Sequence, residues 1–297
     1  MIPAEQVRLA DAVPAAALAA LPYFSAGQAR LRLKCEDGAT RIAELYHAQP
    51  LRLLFPRPEP GDVFQAAITC VAGGLVAGDR HEIEVGVEHG AQAMVIGQAA
   101  EKIYRSTGAD CVIETALSVA DDAWLEWLPQ ETILFDRARL RRRTRVAVAP
   151  GGRLLAGGIT VFGRAARGEA LTAGLVHDAW ELRDDAGHLR WKDVLHMEGD
   201  LAALIGNPAT FGGARACASA IYAAPDAEKF LPLARAVAAR LQRPGLRVGA
   251  TLVNGLLVTR FLGAEALALR NAFAGLWCAL RHAARGLPMA MPRLWTV

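Results

Sequence analysis

From Arg30 onward, hydrophobic and polar positions alternate with a period of two. Leu31, Leu33 and Cys35 interleave with Arg30, Arg32 and Lys34, the pattern of a half-buried strand. Comparable runs follow at Ile42–Tyr46, Val63–Val71, Glu82–Glu88, Ala91–Ile96, Val112–Val119, Ala123–Leu128, Thr144–Val148, Leu154–Phe162 and Leu175–Leu182, separated by Gly, Pro and Asp clusters. No strand–helix rhythm runs through residues 30–220, which argues against a doubly wound α/β sheet. The period changes near the C-terminus. A helix is expected over about Ala227–Gln242, with Asp226 as its N-cap, Phe230, Leu233, Val237 and Leu241 on one face, and Arg243-Pro244-Gly245 as its stop. A second is expected over about Ala264–Arg285, with Leu269, Phe273, Leu276, Trp277 and Leu280 as its apolar stripe and Gly286 and Pro288 at its end. Between them, Arg247–Val253 and Leu256–Leu262 read as a hairpin turned at Asn254-Gly255. The expected fold is mainly β. A large irregular β-sheet body over about residues 30–220 precedes a helix–hairpin–helix part over about 225–297, in a single domain covering residues 1–297. The Ala/Pro-rich first 25 residues read as loose chain or a short helix. Self-similarity among the strands is too weak to define a repeat period.

Composition narrows the function classes. The apolar share of 53% points to a large core or an interface. With 33 basic and 30 acidic residues the net charge is +3, so the chain as a whole carries no nucleic-acid footprint. No signal peptide and no uncharged apolar run long enough for a membrane helix is evident, which makes the expected location cytoplasmic. Cys35, Cys70, Cys111, Cys217 and Cys278 are odd in number and form no C-x-x-C pair, as for small buried hydrophobes in a reducing compartment.

Four segments could carry chemistry. Gly73-Gly74-Leu75-Val76-Ala77-Gly78-Asp79 is glycine-rich enough for backbone amides to approach a ligand closely. Yet no Lys-Ser/Thr follows and a strand comes next, so it is neither a P-loop nor a dinucleotide-binding turn. The alternative is a tight strand-to-strand turn built on Gly73, Gly74 and Gly78, with Asp79 capping its amides. In Gln98–Ser106, Lys102, Tyr104 and Arg105 form a polar cluster for a channel, a contact surface or a solvated sheet edge. Trp124–Asp136 holds two tryptophans and the acids Glu126, Glu131 and Asp136, five residues apart, without simple paired-carboxylate geometry. In Gly163–Glu169, Glu169 either pairs with Arg164 or Arg167 or lines a hydrophilic passage. Arg137, Arg139, Arg141, Arg143 and Arg145 alternate, placing a basic stripe on one strand face and Arg142 on the other. The stripe reads as a docking surface or as a solvated face blunting an edge strand. The seven histidines show no metal-site spacing, and no nucleophile has an evident His partner. No catalytic residue is assigned and no tight metal or cofactor site is expected.

Together these segments resemble the urease accessory protein D family, called H in some organisms. The resemblance rests on the Gly-Gly-Leu-Val-x-Gly-Asp turn at 73–79, the Gln-Ala-Ala-x-Lys-x-Tyr-Arg-Ser run at 98–106, Glu-Trp-Leu-Pro-Gln-Glu-Thr-Ile-Leu-Phe at 126–135, Gly-Arg-x-x-x-Gly-Glu at 163–169 and Pro-Arg-Leu-Trp at 292–295. It implies a non-enzymatic scaffold in a hetero-oligomeric complex with urease accessory proteins F and G, the latter a GTPase, acting on apo-urease. It further implies nickel in transit, with Asp79 and Glu169 as weak transit ligands and Glu131 as a further lining carboxylate. The rival readings are a hydrolase using Glu126, Glu131 or Asp136 and a generic β-rich adaptor.

Overall fold

The computed structural model describes residues 25–296; the expected loose N-terminal segment lies outside them. In chain order the strands are β1 (Ala26–Glu36), β2 (Ala39–Ala48), β3 (Leu51–Leu54), β4 (Phe64–Cys70), β5 (Arg80–Val87), β6 (Gln92–Gly97), β7 (Glu101–Ile103), β8 (Cys111–Val119), β9 (Trp124–Leu128), β10 (Thr132–Leu134), β11 (Arg139–Val148), β12 (Arg153–Phe162), β13 (Ala173–Asp184), β14 (Leu189–Asp200), β15 (Ala216–Ala223), β16 (Leu246–Val253) and β17 (Leu256–Gly263). The helices are α1 (Leu201–Gly206), α2 (Leu231–Leu241) and α3 (Ala266–Arg285). Strand accounts for 51% of the structure and helix for 17%, so the fold is mainly β, as the periodicity predicts.

The strands form two facing sheets. The outer sheet has the order β14-β13-β11-β8-β5-β1-β2, and the middle sheet runs β16-β17-β15-β12-β9-β6-β4-β3. Between these antiparallel flanks the body is a parallel solenoid. Each coil runs up a middle-sheet strand, through a loop, down an outer-sheet strand and back by a tight turn. Phe64, Ala93, Leu125 and Leu154 stand side by side across four parallel strands, 29, 32 and 29 residues apart along the chain. The return turns stack too. Each closes with one backbone bond, Ala91 N to Glu88 O, Ala123 N to Ala120 O and Gly152 N to Ala149 O, at 3.0, 3.2 and 2.9 Å. A repeat period therefore exists where the sequence shows none.

The hydrophobic pattern follows from this layering. One face of the middle sheet packs on the outer sheet through Val95, Leu125, Trp127, Val85, Leu117 and Val146. Its other face is covered by α2 and α3 through Met94, Ile96, Trp124, Leu155, Phe273 and Trp277. Because both faces are buried, β9 is buried at all five positions, four of them apolar and the fifth the buried acid Glu126. The outer sheet keeps one wet face, hence the alternation of β1 and β11.

The helix–hairpin–helix part is present. Asn254 and Gly255 take φ of 48° and 78°, the left-handed pair that a two-residue hairpin turn requires. The α3 stripe Leu269, Phe273, Leu276, Trp277 and Leu280 is buried as expected. On α2 the fully buried line is Ala234 and Ala238, flanked by the half-buried Leu233, Val237 and Leu241. Two expectations change. Asp226 does not cap the helix: its carboxylate binds Arg153 at 2.6 Å and the Tyr222 hydroxyl at 3.2 Å. Of the arginine stripe, Arg139, Arg141, Arg143 and Arg145 lie on β11, an interior strand between β8 and β13, so they blunt no sheet edge; Arg137 precedes the strand with φ of 61°. The stripe's charge is matched across neighbouring strands, with Arg139 and Arg141 on Asp110 at 2.6 and 2.5 Å and Arg145 on Glu114 at 3.1 Å.

Candidate functional site: the loop end and the polar band between the sheets

The parallel middle-sheet strands β4, β6, β9 and β12 all end at the same side, and each is followed by one of the four segments singled out above. The solenoid thus gathers residues 71–79, 98–106, 129–138 and 163–172 at one end of the sandwich. Short parallel pairings of β7 with β10 and of β10 with β12 tie these loops together.

In the first loop Gly73, Gly74 and Gly78 all have positive φ, 77°, 153° and 90°. A Cβ on Gly74 would stand 2.6 Å from the Tyr104 ring and 2.8 Å from the Lys102 carbonyl oxygen, so glycine is needed there for space as well as for φ. The turn lies against the Lys102–Tyr104 segment, with Leu75 N donating to Lys102 O at 2.8 Å and Tyr104 N to Leu75 O at 2.9 Å. Asp79 is buried beneath it and accepts from the backbone amides of Ser25 and Val76 at 2.8 and 2.9 Å. Both its oxygens are used in holding the turn.

A surface chain continues from there. The Tyr104 hydroxyl donates to Gly73 O at 3.3 Å, and its ring meets Phe135 edge-on at 4.8 Å. The Arg164 guanidinium covers Phe135 at 4.1 Å and pairs with Glu169. Glu169 also accepts from Asp136 N at 3.1 Å, and hydrogen bonding to Arg164 holds its carboxyl below the usual range. Tyr104, Arg164, Glu169 and the glycine turn therefore form one contiguous surface. Arg105 is exposed beside it, its backbone bridged to Ala138. Glu131 turns away: its side chain pairs with Arg270 of α3, which also binds Gln130 Oε1 and Trp295 O, both at 2.7 Å.

The acids of the hydrolase reading are each engaged separately. Glu126 is fully buried and accepts from Trp277 Nε1 at 2.7 Å, Trp124 Nε1 at 3.1 Å and Arg281 Nε at 3.0 Å. Burial pushes its carboxyl upward against the opposing pull of Arg281. Asp136 binds the Thr172 amide and hydroxyl at 2.8 and 2.7 Å. Among the described residues Glu126, Glu131 and Asp136 share no partner.

A second feature, spread through the sequence, lies between the sheets. Two cavities, of about 190 and 570 Å³, share Gly158 and Trp180 in their walls. The smaller opens among Cys70, Gly73, Gly74, Gln98 and Lys102 at the loop end. The larger reaches Asp193, Gly249 and Arg260 on the opposite flank. Arg142 lines the first and Asp178 the second, and they pair at 3.0 and 2.5 Å. Arg142 also donates to Thr132 Oγ1 at 2.7 Å and lies 3.9 Å from Glu101. Thr115, Thr144 and Thr160 complete a polar band in the cavity walls. Burial pushes Glu101 upward and Arg142 opposes this; burial works against the Arg142 charge, but Asp178 and Glu101 more than restore it. Cys217, in the wall of the larger cavity, is pushed up to about 12 by burial and stays a neutral thiol. Two carboxyl groups thus share one guanidinium in the band. Of these residues only the inward placement of Arg142 was readable from periodicity; Glu101 and Asp178 carry no local motif.

Among the described residues no group of three or more His, Cys, Asp or Glu side chains is arranged to hold a metal ion. No helix among them is long and apolar enough to cross a membrane.

This geometry defines a class: a β-solenoid with a polar band between its two sheets and its distinctive loops at one end. A sequence model of the UreD urease accessory protein family matches residues 25–296, and the chain belongs to that family. It is 43% identical over 287 residues to a urease accessory protein UreD of Magnetococcus marinus, covering 94% of this chain and 99% of the relative. It is 41% identical over 291 residues to a urease accessory protein UreD 1 of Methylobacterium radiotolerans, covering 97% and 98%. A urease accessory protein UreD of Rhodopseudomonas palustris strain HaA2 is 38% identical over 273 residues, covering 91% and 92%. A role in urease maturation follows from this membership.

Proposed function

We propose that the chain is a non-enzymatic cytoplasmic scaffold that works with accessory proteins F and G to load nickel into apo-urease, and that nickel crosses it along the polar band between the sheets. The observation that carries this reading is the Arg142–Asp178 ion pair, which has one partner in the wall of each cavity, the two cavities sharing Gly158 and Trp180. A divalent ion in a dry β interior faces a desolvation cost of several kcal/mol or more. Carboxylates, threonine hydroxyls and enclosed water offset that cost along this route. Arg142 neutralises part of the acidic charge when no cation is present, which keeps the affinity modest, and an ion in transit must bind weakly enough to leave. In this scheme Lys102, Gly73 and Gly74 form the mouth. Asp79, Arg164 and Glu169 shape the loop end, and Tyr104 and Arg105 present its surface to a partner. Asp79 and Glu169 then act through loop structure more than as transit ligands.

The test is the nickel content and activity of urease produced with and without this chain, accessory proteins F and G being present in both. Nickel-poor, inactive urease in its absence is the expected result. Fully loaded urease without it would overturn the reading.

A further inference from the structure

We propose that His177 and His196 form a surface site for one divalent transition-metal ion, separate from the polar band. The two residues stand directly opposite in the antiparallel β13–β14 pair and project to the wet face of the outer sheet. Their Nδ1 atoms are 3.3 Å apart, with ring centroids at 5.4 Å and planes at 68°. As an N–H···N hydrogen bond that separation is long. As a pair of ligands it fits: imidazole nitrogens each about 2.0–2.1 Å from one metal ion are about 2.8–3.4 Å apart for bond angles between square and tetrahedral. The ladder fixes both Cα atoms, so little order has to be gained on binding.

The surroundings set the affinity. Burial, with His196, Arg141 and Arg143, lowers the proton affinity of His177. The same arginines oppose a bound cation, although Arg141 is partly neutralised by Asp110 at 2.5 Å. Nitrogen ligands of this kind suit copper, nickel and zinc over magnesium or calcium, with Cu²⁺ held most tightly.

Tag-free full-length chain titrated with Ni²⁺ alone, and with Cu²⁺ followed by electron paramagnetic resonance, tests the site. The unaltered chain is expected to bind one Ni²⁺ more than the His177→Ala/His196→Ala chain. Its Cu²⁺ spectrum should show coupling to two imidazole nitrogens. Losing an outer-shell partner alone weakens metal sites by roughly 10–100-fold, so each single variant should lose at least about tenfold in affinity. Equal stoichiometry and affinity in the unaltered and doubly substituted chains, or a Cu²⁺ spectrum lacking nitrogen coupling in the unaltered chain, would overturn the proposal. Both readouts are taken without urease, so they are independent of whether nickel crosses the interior.

Discussion

Glu126 and Arg281 have no exposed side-chain surface, yet they pair at 3.0 Å. Arg281 also pairs with Asp62 and donates to the carbonyls of Pro288 and Ala290 at 2.7 and 3.2 Å, so one side chain joins β9, the loop before β4 and the end of α3. Removing one partner of such a pair strands the other, at a typical cost of about 3–5 kcal/mol. Arg281→Met should lower the denaturation midpoint accordingly, and Glu126→Gln/Arg281→Met should recover much of the loss. His81 is a different case. It is 1% exposed and neither ring nitrogen has a hydrogen-bond partner among the described residues. Burial pushes it from 6.5 down to about 4, against the opposing pull of Asp79. The unfolded chain takes up this proton near 6.5 and the folded chain near 4, so stability falls as pH drops through that window, by up to ~3 kcal/mol. In denaturation curves at pH 7 and pH 5, His81→Leu should narrow the difference between the two midpoints; an unchanged difference would assign the pH dependence to other groups. At this scale the sequence was informative about residue type more than role. The tryptophan- and acid-rich segment stands out in any reading. Its Glu126 and Glu131, however, bind partners more than a hundred residues away, which no local pattern encodes.

The elements with strong periods were the legible ones. The Asn-Gly hairpin and α3 follow directly from short-range patterns, one from left-handed turn chemistry and the other from an apolar stripe. β15 reads Ala-Cys-Ala-Ser-Ala-Ile-Tyr-Ala and sits between β12 and β17, so it shows no amphipathic alternation. β14 is an edge strand bearing Arg190, Lys192, Asp193 and Glu198, with too few apolar positions to mark it. β3, β7 and β10 have three or four residues, too short for a period to register. The C-terminal segment also has a structural task that its sequence does not announce. Trp295 stacks on Phe273 at 5.8 Å, and Arg270 lies over its ring at 4.3 Å while binding Gln130, Glu131 and Trp295 O. Arg270→Ala should loosen this latch. Hydrogen exchange should quicken in residues 286–296 and at the N-terminal half of α3, with β5, β8 and β11 unaffected. Uniformly faster exchange across the outer sheet would mean that the latch supports the whole fold.

At the scale of the molecule the solenoid explains why segments that begin 27, 31 and 34 residues apart meet at one end. It was invisible in sequence because its coils differ in length and share a geometry more than a residue motif. Cys111, Leu140 and Val176 lie side by side in the outer sheet, 29 and 36 residues apart, so the last step exceeds the 29, 32 and 29 of the middle sheet. The loop end was nonetheless found, since glycine and charge cluster there. The polar band was not, since Glu101, Arg142 and Asp178 are distant in sequence and converge through three separate strands. Glu101→Gln combined with Asp178→Asn, which removes the band's carboxylate charge, should lower the nickel content of co-produced urease while leaving the assembly of the accessory complex intact. Intact loading would place the route elsewhere. The most direct measurement uses Gly158, which lines both cavities and whose added Cβ would meet nothing within 4 Å. Gly158→Ala and Gly158→Leu should fold normally but fill the junction to increasing degrees. The account predicts that urease co-produced with these variants holds progressively less nickel, with the melting temperature of the scaffold unchanged. Full nickel content with Gly158→Leu would contradict passage between the sheets.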